Sequence, residues 1–80
     1  MDTNRLRTLA ISESGFIFDP YSGHSYTTNK TGQFIISRLK EGDSVSMITT
    51  GMIERFEVHP ETCEQDILQM VDTLQNYSLV

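Results

Sequence analysis

Tryptophan is absent from this sequence of 80 residues, which also contains only one cysteine and two prolines. A single cysteine cannot form an internal disulfide bond, and no cysteine or histidine residues have the spacing of a zinc site. No apolar run approaches the ~18 residues of a membrane-spanning helix, and the N-terminus has no signal-peptide apolar segment. We therefore expect a cytoplasmic protein with no membrane partner, no bound metal and no cofactor.

Positive charge is also scarce, since 6 Lys and Arg residues stand against 11 Asp and Glu residues. The acidic excess lies in the second half of the chain, because residues 43–80 contain one Lys or Arg and seven Asp or Glu. A chain of this length builds one small hydrophobic core. It has little room for the walled pocket of a catalytic site, and we expect a binding protein that is not an enzyme.

The spacing of apolar residues changes at Asn29 from a period of two to the period of a helix. Before Asn29, the pattern predicts three antiparallel strands, at 8–12, Phe16–Phe18 and 24–28. After Asn29, it predicts three helices, at Lys30–Lys40, 45–56 and Pro60–Asn76. The expected fold class is therefore α+β, a three-strand antiparallel sheet followed by three helices.

Local signals support these boundaries and predict a core. Asn29 and Ser44 are helix N-caps, Gly42 ends the first helix, and Pro60 starts the third. Gly51 within the second helix predicts either a bend or the close approach of another backbone. Residues 1–7 are interpreted as a flexible tail, and residues 8–80 as one domain. The predicted core consists of Phe16 or Phe18, Ile35, Leu39, Ile48, Phe56, Ile67, Val71 and Leu74.

The order of turn, cap and apolar residues resembles the coenzyme PQQ synthesis protein D (PqqD) family over roughly residues 9–80. The matching residues are Gly15, Phe16, Phe18, Asp19, Pro20, Gly23, Tyr26, Asn29, Thr31, Gly32, Leu39, Glu41, Gly42, Arg55, Phe56, Val58, Pro60, Glu61, Thr62, Asp66 and Leu74. The resemblance implies a small winged helix-turn-helix-like domain. It also implies a non-catalytic chaperone that binds the leader of a ribosomally made precursor peptide. Such a protein presents the leader to a modifying enzyme, often a radical-SAM enzyme.

The sequence also departs from family members dedicated to pyrroloquinoline quinone. It lacks tryptophan, and its first turn reads Asp-Pro-Tyr-Ser-Gly at residues 19–23. His59 stands where relatives commonly carry aspartate, and Ser78 stands where many carry a terminal glycine. These differences leave the particular biosynthetic pathway open.

Two surfaces are candidates for binding a peptide. The first is the outer edge of the third strand, formed by His24, Ser25, Tyr26, Thr27 and Thr28. This edge has no proline or lysine to block pairing, so it either accepts an added peptide strand or lies under a helix. The second is a flank of the third helix, formed by Asp66, Leu68, Gln69 and Thr73. The resemblance implies that this helix lies beside the third strand, so that the two surfaces form one groove.

The histidines and the cysteine do not indicate a metal site or a catalytic site, and other functions are less well supported. His24 and His59 have no ligand-spaced partners, and Cys63 lies in an apolar stripe among acidic residues, where a nucleophile is not expected. A winged-helix DNA-binding protein is the alternative function. Its reading helix would be Pro60–Asn76, which contains four acidic residues and no Lys or Arg, so we expect no nucleic-acid binding. A regulatory scaffold that touches only an enzyme is a further alternative.

Overall fold

The computed structural model describes residues 3–80. Its elements are α1 (Asn4–Arg7), β1 (Ala10–Ile11), β2 (Phe16–Phe18), β3 (Ser25–Thr27), α2 (Lys30–Lys40), α3 (Val45–Arg55) and α4 (Pro60–Asn76). The strands form one antiparallel sheet in the order β1-β2-β3. The predicted α+β fold, a three-strand sheet followed by three long helices, is therefore confirmed. None of the described helices is long and apolar enough to span a membrane.

The central strand β2 presents its middle residue to the core and its two phenylalanines to solvent. Ile17 is buried and pairs with Tyr26 of β3, whereas Phe16 and Phe18 are 46% and 40% exposed. The expectation that Phe16 or Phe18 belongs to the core is therefore wrong. Alternation places both rings on one face, but only the position of the helices decides which face is buried.

The helix starts agree closely with the sequence prediction. Asn29 Oδ1 accepts a 2.8 Å hydrogen bond from the Gly32 N–H, and Ser44 Oγ accepts one of 3.2 Å from the Met47 N–H. α4 begins at Pro60, and His59 before it makes no side-chain capping bond. A side-chain oxygen at an N-cap satisfies a backbone N–H that has no partner within the helix. The local sequence therefore specifies where α2 and α3 begin.

The three long helices pack together and against the inner face of the sheet. Five residues of the predicted core are buried: Ile35, Leu39, Ile48, Ile67 and Leu74. Phe56 and Val71, which were also predicted, are only partly buried beside them. Seven further buried apolar residues were not in the predicted core: Leu6, Leu9, Ile17, Ile36, Met52, Cys63 and Leu79. The core thus extends into both ends of the chain.

Gly51 leaves room for an aromatic side chain within α3. A Cβ atom built on Gly51 would lie 3.0 Å from Cζ of Phe34, a ring that also packs edge-on against Phe56 at 5.7 Å between centroids. The predicted close approach is therefore real, but the neighbour is the Phe34 side chain instead of another backbone. This contact joins α2 to α3.

The N-terminal segment makes two contacts that sequence reasoning did not anticipate. Residues 1–7 were interpreted as a flexible tail, yet Asn4–Arg7 forms a helical turn in which Leu6 is fully buried. Arg5 forms an ion pair with Asp19. A single apolar residue in a polar segment gives no period, so local patterning could not identify Leu6 as a core residue. Residues 1 and 2 of the predicted tail lie outside the described residues.

The C-terminus folds back after α4 and seals the core. Ser78 has a left-handed backbone, with φ of 58°, and the Leu79 N–H donates to the Leu74 carbonyl at 2.8 Å. This turn resembles a glycine-type helix C-cap, in which a left-handed residue satisfies the last carbonyl groups. The segment 78–80 is therefore a capping turn that buries Leu79.

Candidate functional site

The outer edge of β3 presents unpaired backbone groups at two of its residues. Thr28 donates its N–H to the Gly15 carbonyl, and His24 accepts from the Asp19 N–H, both at 2.9 Å. Bonded and non-bonded residues alternate in an antiparallel ladder, so Tyr26 also bonds to β2. The N–H and C=O groups of Ser25 and Thr27 therefore point away from the sheet. No other described strand pairs with this edge.

A groove separates this edge from α4. It consists of two adjoining cavities of about 410 Å³ each, and both are lined by Thr28, Met70 and Thr73. One cavity lies beside Ser25 and Tyr26 and reaches Tyr77, while the other lies beside Thr28 and reaches Asp66. Along the groove, residue numbers rise in β3 from Ser25 to Thr27 and fall in α4 from Tyr77 to Asp66. The two elements therefore run antiparallel.

The half of the groove beside Tyr26 is mainly apolar. The Tyr26 and Tyr77 rings are in contact there, 4.7 Å apart between centroids and tilted by 46°. Met70 and Leu74 of α4 lie along the same half, with buried Ile17 and Leu79 beneath them. Rings of this kind offer a rigid apolar body with a polar tip, which suits contact with an extended peptide.

The half beside Thr28 is polar and has a negative charge. Its side chains include Asn29, Asp66, Gln69 and Thr73. The Thr73 hydroxyl donates to the Gln69 carbonyl within the helix at 3.0 Å. Asp66 is half-buried, and none of the ion pairs formed among residues 3–80 includes it. Its carboxylate is therefore available to a ligand in the groove.

Most of the residues that the sequence analysis selected lie together in the groove. Ser25, Tyr26, Thr27, Thr28, Asp66, Gln69 and Thr73 all line it. Leu68 does not: it is 59% exposed, and its position two residues after Asp66 places it on another side of α4. His24 also lies outside the lining, although its ring contacts Tyr26 edge-on at 6.5 Å.

Among the groove residues that sequence reasoning did not select are Met70 and Tyr77 of α4. Tyr77 is exposed and Met70 is half-buried. A signal was present, because Asp66, Met70, Thr73 and Tyr77 follow the i, i+4, i+7, i+11 spacing of one helix face. Residues on the border of an apolar stripe belong to the core or to a groove depending on what packs beside them.

The family described as Coenzyme PQQ synthesis protein D (PqqD) matches residues 15–80. The chain belongs to the PqqD family. Among curated protein sequences, none matches the chain.

Two solved structures resemble this PqqD-family protein along most of its length. One is described as "Lasso peptide synthetase B1 complexed with the leader peptide"; it has 27% sequence identity and a TM-score of 0.74, over 86% of this chain and 82% of that chain. The other, "TbiB1 in Complex with the TbiA(beta) Leader Peptide", has 22% identity and a TM-score of 0.76, over 89% and 84% of the two chains. The second is similar in fold alone.

Two further features of this family member lie outside the groove: a cysteine thiol and the grouping of side chains that could bind a metal. Cys63 is fully buried, and burial together with the charges of Asp66 and Glu64 raises the pKa of its thiol. A raised pKa opposes formation of the thiolate, which is the nucleophilic form. Within residues 3–80, no three His, Cys, Asp or Glu side chains gather as a metal site would require.

The exposed surface of α4 does not favour the DNA-binding alternative. Glu61, Glu64 and Asp72 are exposed on this helix, which contains no Lys or Arg. Binding to the DNA backbone depends on basic side chains that neutralise phosphates. In a winged-helix DNA-binding protein this helix would enter the major groove, but the acidic side chains of α4 would repel the DNA phosphates.

Proposed function

We propose that this PqqD-family protein binds the leader segment of a ribosomally made precursor peptide as a fourth strand along β3. It presents the leader to a peptide-modifying enzyme, of the radical-SAM class or another, and does not itself catalyse the modification. The observation that carries the proposal is the open edge of β3 beside the groove. There the outward backbone groups of Ser25 and Thr27 can pair with an extended chain.

The mode of binding follows from backbone geometry. An added strand exchanges N–H and C=O bonds with Ser25 and Thr27, which fixes its register without regard to its side chains. Alternate side chains of the peptide then enter the groove, where α4 forms the opposite wall. The solved neighbour with 27% identity, described as a complex with a leader peptide, supports this assignment.

Ser25, Tyr26, Thr27, Thr28, Asp66, Gln69 and Thr73 are the proposed peptide contacts. His24 is retained in the proposal as the residue that positions the Tyr26 ring through its edge contact. Leu68, the exposed apolar residue of the sequence analysis, is proposed instead as a contact for the partner enzyme, because it lies away from the groove.

The test uses proline substitutions chosen by the direction of each N–H. Thr27→Pro and Ser25→Pro each remove a backbone N–H that points outward, and they leave the hydrogen bonds between β3 and β2 intact. An edge strand accepts proline at such positions. The ligand is a synthetic leader from a short precursor frame beside the gene, titrated into isotope-labelled protein. We expect amide shifts at residues 24–28 and 66–73, and at least about a tenfold loss of affinity in either proline variant.

Two controls separate loss of binding from loss of folding. Thr27→Ala keeps the N–H and should retain the affinity, and the proline variants should keep dispersed amide spectra. Tyr26→Pro removes a donor that faces β2, so it should unfold the sheet edge. The proposal fails if Thr27→Pro binds the leader as tightly as Thr27→Ala, or if the shifts fall on the outer surfaces of α2 and α3.

A further inference from the structure

The register of an added strand determines which of its side chains enter the groove, provided that the strand-addition proposal holds. Peptide residues opposite Ser25 and Thr27 form the hydrogen-bonded pairs. Their side chains share the outer sheet face with Phe16 and Phe18, since Phe16 pairs with Thr27 and Phe18 with Ser25. Peptide residues opposite Tyr26 and Thr28 therefore point into the groove, two positions apart.

These two positions meet surfaces of different chemistry. The position opposite Tyr26 faces the apolar half, where Leu74 and Tyr77 form the α4 wall. The position opposite Thr28 faces the polar half, where Asp66 and Gln69 form that wall. Gln69 lies five residues before Leu74, which is about 7.5 Å along a helix, and two residues of a strand cover about 6.6 Å. The two peptide side chains are therefore spaced to meet walls of different chemistry.

Charge makes the polar half selective. Asp66 has no basic partner among the described residues, and neither half of the groove has a Lys or Arg in its lining. The pair Tyr26 and Tyr77 closes the apolar half with aromatic carbon. An acidic side chain at the polar position would face Asp66 without compensation, whereas a basic one would pair with it.

We infer that the protein recognises a peptide that carries an apolar side chain and a basic side chain two residues apart. The apolar side chain lies opposite Tyr26 between Leu74 and Tyr77, and the basic side chain lies opposite Thr28 beside Asp66. The pattern reads basic-x-apolar for a strand antiparallel to β3 and apolar-x-basic for a parallel one.

The experiment measures fluorescence anisotropy with three labelled peptides on a Thr and Ser background. The first has Leu at its centre and Lys two residues to either side, so that it satisfies the pattern in both strand directions. The second replaces both Lys residues by Glu, and the third replaces the Leu by Ser. We expect the Leu-to-Ser change to weaken binding at least about tenfold and the Lys-to-Glu change to weaken it about two- to fivefold.

Two charge variants of α4 form a matched pair. Asp66→Lys should reverse the preference between the Lys and Glu peptides, and Asp66→Asn should abolish it. Asp72→Lys makes the same change in net charge at an exposed position outside the groove lining and should leave the preference unchanged. Equal effects of Asp66→Lys and Asp72→Lys would show that only overall charge matters, and would overturn the inference.

The same peptides separate this inference from the proposed function. Suppose that Thr27→Pro lowers the affinity for all three peptides while the wild-type protein binds them with equal affinity. Strand addition then stands, and the side-chain pattern is wrong. If the wild-type protein binds none of them, the pattern is also wrong, and the leader titration alone judges strand addition. If Thr27→Pro leaves the affinity for the Leu and Lys peptide unchanged, strand addition itself is wrong.

Discussion

Arg5 donates a 2.8 Å hydrogen bond from its Nη2 to Oδ2 of Asp19, and so ties the N-terminal turn to the loop between β2 and β3. Asp19 is almost fully buried and also accepts bonds from the Ser22 hydroxyl at 2.8 Å and the Tyr21 N–H at 3.0 Å. The guanidinium carbon of Arg5 lies 5.1 Å from the centre of the Tyr21 ring. One carboxylate therefore holds together the turn that leads into β3.

The first prediction concerns acid stability. Burial by itself raises the pKa of Asp19, but the hydrogen bonds from Ser22 and Tyr21 and the charge of Arg5 outweigh it and hold the pKa below its ordinary 3.8. A group with a lowered pKa stabilises the fold fully above the unfolded-state pKa and loses that effect as the pH falls through the folded-state pKa. Asp19→Asn should therefore lower the free energy of unfolding near pH 7, and the difference from wild type should shrink below about pH 4.

Urea unfolding at about pH 7, 5 and 3 measures this difference. Asp72→Asn removes an exposed carboxylate of α4 and controls for the loss of one charge. A constant difference between Asp19→Asn and wild type at all three pH values would contradict the assignment of the effect to ionised Asp19.

The second prediction compares two glycines with positive φ. Gly15 and Gly23 have φ of 88° and 77°, but only at Gly15 would a Cβ atom overlap backbone, namely the carbonyl oxygen of Thr28. Gly23→Ala should cost about 1–2 kcal/mol of unfolding free energy from the left-handed backbone alone. Gly15→Ala should cost about 1–3 kcal/mol more, because the strands must also move apart. Equal costs in denaturant melts would show that the β2–β3 contact is looser than described.

The third prediction concerns Ser78, the one non-glycine residue with positive φ among residues 3–80. Ser78→Gly should stabilise the protein by about 0.5–1 kcal/mol, since glycine adopts this backbone without strain but is more flexible when unfolded. Ser78→Ala retains the strain and should change stability by less than about 0.5 kcal/mol. Thermal melts of the wild type and the two variants measure these differences in stability. Destabilisation by Ser78→Gly would argue against the left-handed cap.

The fourth prediction uses two neighbours on α4. Ile67 is fully buried and Leu68 is exposed. Ile67→Ala should lower the free energy of unfolding by about 2–5 kcal/mol through lost packing, and Leu68→Ala should change it by less than about 0.5 kcal/mol. Because Leu68 lies outside the groove, Leu68→Ala should also leave leader affinity unchanged. A loss of leader affinity in this variant would place the peptide on a different side of α4.

The two elements selected from the sequence, the last strand and the last helix, border the groove in the structure, but the full lining of that groove was not predicted. The strand edge follows from chain order, since the last strand of a meander has one free side. Chain order does not show that Asp66, Gln69 and Thr73 line the groove and that Leu68 does not. This depends on the rotation of α4 about its own axis. That rotation is set by the packing of Ile67 and Leu74 in the core, and it turns Met70 and Tyr77 into the groove.

Features controlled within a few residues were determined by the sequence itself. The strand-to-helix change at Asn29, the capping side chains and the start of α4 at Pro60 depend on bonds between near neighbours, so pattern and residue type predict them. Contacts between distant residues were decided only by the tertiary structure. The burial of Ile17 instead of Phe16 and Phe18, and the pairing of Arg5 with Asp19, depend on which surfaces the helices cover, because a period of two defines two equivalent faces and packing selects one.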